Sequence, residues 1–243
     1  MRGWPVHDAH AHPELYRAIL ERILTGELAP GQRLVEEDLA RTHAVSRTPV
    51  REVLFSLQTD GLVQRVKNKG ARVAAFTADD VEELFDIRKA LEVSSVPHAV
   101  RTVKLNNMLE LDRRFSALPS LKGAHLRKEQ ADLDLELHSL IVHNSGNRRL
   151  IRLMGALSTL VNALQLASYR LAERADETVE EHHSIVRAML RRDVELTQRL
   201  LAAHIDTGKR NALELLLDLD RNAQTAARSN AEQGSRRAAV ARR

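Results

Sequence analysis

Cysteine is absent from this 243-residue sequence, and aromatic residues make up only 3% of it. Without thiols there is neither a disulfide framework nor a thiolate metal site, which fits a reducing cytosol. Long apolar runs are missing too. Nothing approaches the ~20 residues that span a bilayer, and the opening MRGWPVHDAHAHPEL has no signal-peptide core. These absences predict a soluble, cytoplasmic protein with no membrane partner. Glycine and proline are scarce, at ten and six residues, so each one that does occur punctuates the chain.

The net charge is only +4, but it is unevenly spread. Residues 41–72 carry seven Lys or Arg against two acids, and residues 77–220 carry 20 basic against 23 acidic residues. From 221 onward there are six arginines against one glutamate. The result is a basic front, a slightly acidic body and a basic end. A basic block beside a helix start points to a polyanion as partner.

Residues 14–25, ELYRAILERILT, place apolar side chains at 15, 19, 23 and 24, a helical spacing that Gly26 and Pro30-Gly31 interrupt. A second helix is predicted over 34–42 and a third over 46–60, closed by Gly61. LVQRV and ARVAAF then flank the basic tip KNKG as two short strands. From Thr77, a capping residue, the pattern stays helical to about 218, with Pro97 marking a kink or irregular turn. The predicted fold class is mainly α: an N-terminal winged helix-turn-helix (three helices plus a small β-hairpin wing), followed by an all-α antiparallel bundle of about six helices. The corresponding divisions are a flexible arm at 1–13, the winged helix-turn-helix at 14–76, the all-α body at 77–219, and a disordered basic tail at 220–243.

The stretch AVSRTPVREVL at 44–54 carries the chemistry of the front domain. Ser46 is a suitable N-cap, Val45 and Val50 stand at hydrophobic-staple positions, and Pro49 falls in the first turn, where its missing N–H costs nothing. Packing leaves Arg47, Thr48 and Arg51 unexplained. They share the solvent side while Val50, Val53, Leu54 and Leu57 take the other. The continuous run from PG at 30–31 through VSRTPVRE and GLV to KGARV resembles the DNA-binding domain of the GntR family of bacterial transcription regulators. The helical body resembles the FadR-type effector domain, FCD. The resemblance implies a homodimer on a palindromic, double-stranded operator. Arg47 and Arg51, i and i+4, are placed to pair with guanine edges in the major groove. Ser46 and Thr48 can donate to phosphate at the helix start, and the wing tip with Lys69 and Gly70 reaches the minor groove. Glu37 stands where many family members carry a DNA-reading arginine, and Ala44 replaces the usual turn glycine, which raises the turn's local cost.

Histidines fill the body's second half. Asp134 and His138, i and i+4, stack on one helix face and could chelate one cation, whereas His143 points elsewhere. Of the adjacent pair, His182 sits near the centre of the apolar stripe made by Ile185, Val186, Met189 and Leu190, with His183 at its edge. His204, among Leu200, Leu201 and Ile205, also faces inward. These residues alone leave a metal site and a set of core histidines both open. The family resemblance implies the metal: Asp134, His138, His182 and His204 match an Asp-x-x-x-His pair plus two further His, a set that suits Zn²⁺, Ni²⁺ or Mn²⁺. It also implies a small organic acid as effector, with Arg88 holding or orienting it, although a helix-surface salt bridge would equally use that arginine. The His-x-His of VHDAHAHP imitates an amidohydrolase opening, but such enzymes need a barrel of alternating strands and helices that the sequence lacks. His7, His10 and His12 are read as part of the arm. The chain is therefore expected to be a regulator, not an enzyme. Two rivals stand beside that reading: a metal-dependent hydrolase and a nonspecific nucleoid-binding protein.

Overall fold

The computed structural model describes residues 11–66, 70–170 and 175–240. Its first part contains α1 (Pro13–Leu24), β1 (Arg33–Leu34), α2 (Glu36–Thr42), α3 (Arg47–Thr59), β2 (Val63–Val66) and β3 (Gly70–Val73). The three strands form one antiparallel sheet in the order β1-β3-β2, with Leu34 opposite Ala71 and Arg65 opposite Ala71 on the other edge. Strand β1 corrects the expectation that residue 34 begins the second helix. Leu34 is buried against the sheet, and α2 starts only at Glu36, where Glu36, Glu37 and Asp38 complement the positive helix end. Tyr16, Ile19, Val50, Val53, Leu57 and Leu62 form the centre of this domain's core.

The turn between α2 and α3 shows where Ala44 stands. It adopts φ +51, the left-handed region, while Val45 N–H donates to the Ala40 carbonyl to close the helix. A non-glycine residue held there costs about 1–2 kcal/mol. Ala44→Gly is therefore expected to raise stability by about 0.5–1 kcal/mol, since glycine's extra unfolded-state entropy takes back part of the gain. A urea midpoint that failed to rise would show that the turn is not strained.

Ser46 occupies the N-cap of α3 as expected, but its side chain makes no capping hydrogen bond. Val45 stays 38% exposed beside a fully buried Val50, so the staple contributes little. At the other end Gly61, φ +79, closes α3 while Leu62 N–H reaches back to the Leu57 carbonyl, the role read for that glycine.

The body contains α4 (Ala78–Thr102), α5 (Leu105–Ala117), a short 3₁₀ turn (Leu118–Ser120), α6 (Gly123–His143), α7 (Arg148–Arg170), α8 (Ala175–Leu190) and α9 (Val194–Val240). Thr77 opens α4 with a reciprocal capping box to Asp80. Pro97 does not break this helix. Its missing N–H frees the Val93 carbonyl, and the Gln198 side chain of α9 donates to it at 3.3 Å. Helix α9 extends to Val240, through most of the stretch read as the basic tail. That segment has lost the apolar stripe but is rich in alanine and arginine, residues of high helix propensity. Residues 1–10, including His7 and His10, fall outside the described part of the chain, and His12 pairs with Glu52 at 3.1 Å.

Phe85, Met108, Leu111, Phe115, Leu133 and Leu137 lie at the heart of the bundle. Leu160 of α7 packs against both this core and that of the winged helix. No helix among the described residues is long and apolar enough to cross a membrane.

Candidate DNA interface and metal centre

The first turn of α3 divides as its sequence predicts. Val50, Val53, Leu54 and Leu57 are buried, whereas Ser46, Arg47, Thr48 and Arg51 are exposed. The Ser46 hydroxyl makes no capping hydrogen bond. The two arginines meet Glu36 of α2. Arg51 Nη2 donates to a Glu36 oxygen at 2.9 Å and Arg47 Nη2 lies 3.8 Å from the same atom. The Arg51 hydrogen bond holds the Glu36 carboxyl below its ordinary range. Glu36 escaped the sequence reading because its contact spans fifteen residues and no periodicity marks it. These groups, with Arg33, Glu37 and Arg65, line a groove of about 730 Å³ that runs to Gly70. Gly70 opens β3 at φ +79 and is exposed, and Lys69 lies outside the described residues. Arg72 is occupied internally, donating to the Gly31 carbonyl at 2.8 Å.

In the body, α6, α8 and α9 bring four side chains together. Asp134 and His138 come from α6, His182 from α8 and His204 from α9, all buried, with one donor atom each within 4.8 Å of the others. Asp134 Oδ1 lies 3.1 Å from His138 Nε2 and 3.2 Å from His182 Nε2, and His138 Nε2 lies 3.2 Å from His204 Nε2. The helical phase that favoured His182 over His183 holds for the cluster. His183 is buried rather than at an edge, because it turns the other way to Asp112 at 2.8 Å, with Phe115 stacked against both rings. His143 hydrogen-bonds within its own helix to Ser139, away from the cluster.

Electrostatics ready this set for a cation. Burial would push the Asp134 carboxyl up, but His182 and His138 overcome it and hold it well below the carboxylate range. Burial, followed by the neighbouring His182 and His138, drives the His204 imidazole far down, so it stays neutral. Burial works against a proton on His138, but the Glu92 carboxylate and the contact with Asp134 together raise this imidazole above its ordinary range. The buried Nε2 of His182 makes no hydrogen bond. One carboxylate and three imidazoles, all buried and each offering a donor atom within 4.8 Å of the others, fit a divalent metal.

Two carboxylates that the sequence reading missed stand behind this set. Glu92 of α4 lies 2.5 Å from His138 Nδ1, and Glu181 of α8 lies 2.9 Å from His204 Nδ1. Arg88 completes the first contact, donating from Nε to Glu92 at 2.7 Å with both side chains 1% exposed. The arginine is thus in a buried pair and not a helix-surface salt bridge. Its Nη1 makes no hydrogen bond. Against the cost of burial, Arg88 and then His138 hold the Glu92 carboxyl down to about 2.

A winged helix-turn-helix with a basic recognition-helix start, joined to an all-α domain with a buried Asp/His cluster, defines a DNA-binding transcriptional regulator. Residues 12–73 match the model of the bacterial regulatory proteins of the gntR family, and residues 83–207 match the FCD domain. The chain belongs to the GntR family, with an FCD domain. It is 27% identical over 196 residues to the HTH-type transcriptional regulator YdhC of Bacillus subtilis, covering 79% of this chain and 87% of that one. It is 24% identical to the gluconate operon transcriptional repressor of Bacillus licheniformis, covering 86% and 88%. Escherichia coli McbR/YncC has a similar fold, with TM-score 0.63 and 22% identity over 84% of this chain and 96% of that one. The family is one of DNA-binding transcriptional regulators and not of enzymes, which sets aside the hydrolase reading.

Proposed function

We propose that the protein is a metal-containing, organic-acid-responsive repressor acting in the bacterial cytoplasm as a homodimer on a palindromic operator. On this reading Ser46, Arg47, Thr48, Arg51, Lys69 and Gly70 contact DNA, and Asp134, His138, His182 and His204 hold a divalent ion. The observation that carries it is the convergence of four buried donors from three helices to within 4.8 Å. A bound ion would supply a Lewis-acidic centre attractive to a carboxylate. Arg88 keeps one buried amino group unbonded for such an anion. The repressor names of relatives favour repression over activation. The effector acts through its differential affinity for two arrangements of the recognition helices, since equal affinity for both would shift nothing.

The test uses operator DNA selected from a random pool by the purified protein. One or more acids from a broad panel of organic acids is expected to change operator affinity by about 5–150-fold, the usual range of allosteric coupling. The response should disappear in His204→Ala. Unchanged affinity across the whole panel would sink the switch, and an intact response in His204→Ala would sever it from the metal.

A further inference from the structure

The two carboxylates behind the cluster set the direction in which its histidines present their lone pairs. An ionised carboxylate only accepts hydrogen bonds, so Glu92 facing His138 and Glu181 facing His204 each require a proton on the Nδ1 they touch. With Nδ1 protonated in both neutral rings, both Nε2 atoms carry lone pairs. Those atoms face one another at 3.2 Å, and the Asp134 oxygen adds further negative charge 3.1 Å from His138 Nε2. That arrangement is repulsive unless a positive charge stands among the donors.

We infer that Glu92 and Glu181 are positioning residues of the metal centre, fixing the Nδ1–H tautomer of His138 and His204 so that Nε2 of each ring turns to the ion. This rests on the metal reading of the four donors. The two carboxylates are themselves anchored. Arg88 holds Glu92, and the Thr207 hydroxyl lies 3.2 Å from the second Glu181 oxygen. The third ring is held differently, since His182 stacks on Phe115 with centroids 5.9 Å apart. The assignment therefore covers two histidines and not three. Carboxylates at such positions raise ligand basicity as well as orienting the ring, and losing one costs about 10–100-fold in metal affinity.

The experiment titrates the EDTA-stripped full chain with Co²⁺, read by its d–d absorption, and with Zn²⁺ in competition with a chelating dye. Glu181→Gln and Glu92→Gln are compared with Glu180→Gln, which removes the same charge from an exposed neighbour on α8. Glutamine can still accept from Nδ1 but lacks the charge. Glu181→Gln is expected to weaken both ions about 10–100-fold relative to Glu180→Gln, with the metal-free melting temperatures of the two variants alike. Glu92 is buried and its variant risks misfolding, so Glu181→Gln decides. Equal metal affinity in Glu181→Gln and Glu180→Gln overturns the inference while leaving the metal reading standing. A loss of affinity matched by a fall in metal-free stability overturns it too, because the role is then structural. Failure of the wild type to take up either ion at micromolar concentration overturns the metal reading itself.

Discussion

Arg88→Met is expected to destabilise the protein by about 3–5 kcal/mol, the cost of breaking a buried ion pair from one side. Arg88 and Glu92 are one helical turn apart on α4, each 1% exposed. Removing the guanidinium leaves the carboxylate in a low-dielectric interior with His138 as its remaining hydrogen-bonded partner. Replacing both partners together, as Arg88→Met with Glu92→Leu, should recover much of the loss in metal-free protein, since a well-packed apolar pair carries no desolvation penalty. The pH dependence has a definite sign. The Glu92 carboxyl is depressed in the folded state from an ordinary 4.5 to about 2. Its contribution is therefore fully present above pH 4.5 and is lost as pH falls toward 2. The gap between wild type and Arg88→Met should narrow over that window in urea titrations. A single-variant loss below about 1 kcal/mol would mean that His138 alone sustains the charge, well short of what breaking a buried pair costs.

Arg51→Ala should weaken binding to the selected operator by about 10–100-fold, as expected when one bidentate guanine contact worth 1–3 kcal/mol is lost. Binding to unrelated DNA should fall much less. The distinction matters because Arg51 is exposed and basic, and any such residue adds to affinity through phosphates. The structure gives a reason to expect specificity from it: Glu36 engages its guanidinium from the side, at 2.9 Å through Nη2 and 3.3 Å through Nε. An arginine already tethered has fewer conformations to lose when it pairs with a base. Arg51→Lys should rescue little, because a point charge cannot reproduce the fork. Binding isotherms on both DNAs at two salt concentrations check this, and an equal loss on both would reassign Arg51 to the backbone.

The parts of this protein that depend on neighbours in sequence were legible from it. Gly61 as a helix terminator, Thr77 as a cap and the exposed face of α3 each follow from spacing within one or two turns. Even the choice of His182 over His183 required only the helical period. Contacts that depend on distant elements were not legible. Glu92 meets His138 across 46 positions and Gln198 reaches the carbonyl freed by Pro97 across 105, and no local pattern marks either partner. Strand β1 is two residues long, too short for alternation to register, and exists because β3 offers it an edge. Residues 220–240 carry no apolar stripe, so only the intrinsic preference of alanine and arginine for helix marks the end of α9 in the sequence.

Leu160 belongs to two interiors at once. A cut through the chain near residue 76 would separate the reading head from the bundle in sequence without separating them physically. Each half would carry away an apolar scar where this one side chain had been shared, and neither fragment would be the domain that the intact chain contains. Evolutionary exchange of the head for another would have to bring a replacement seat for the same leucine.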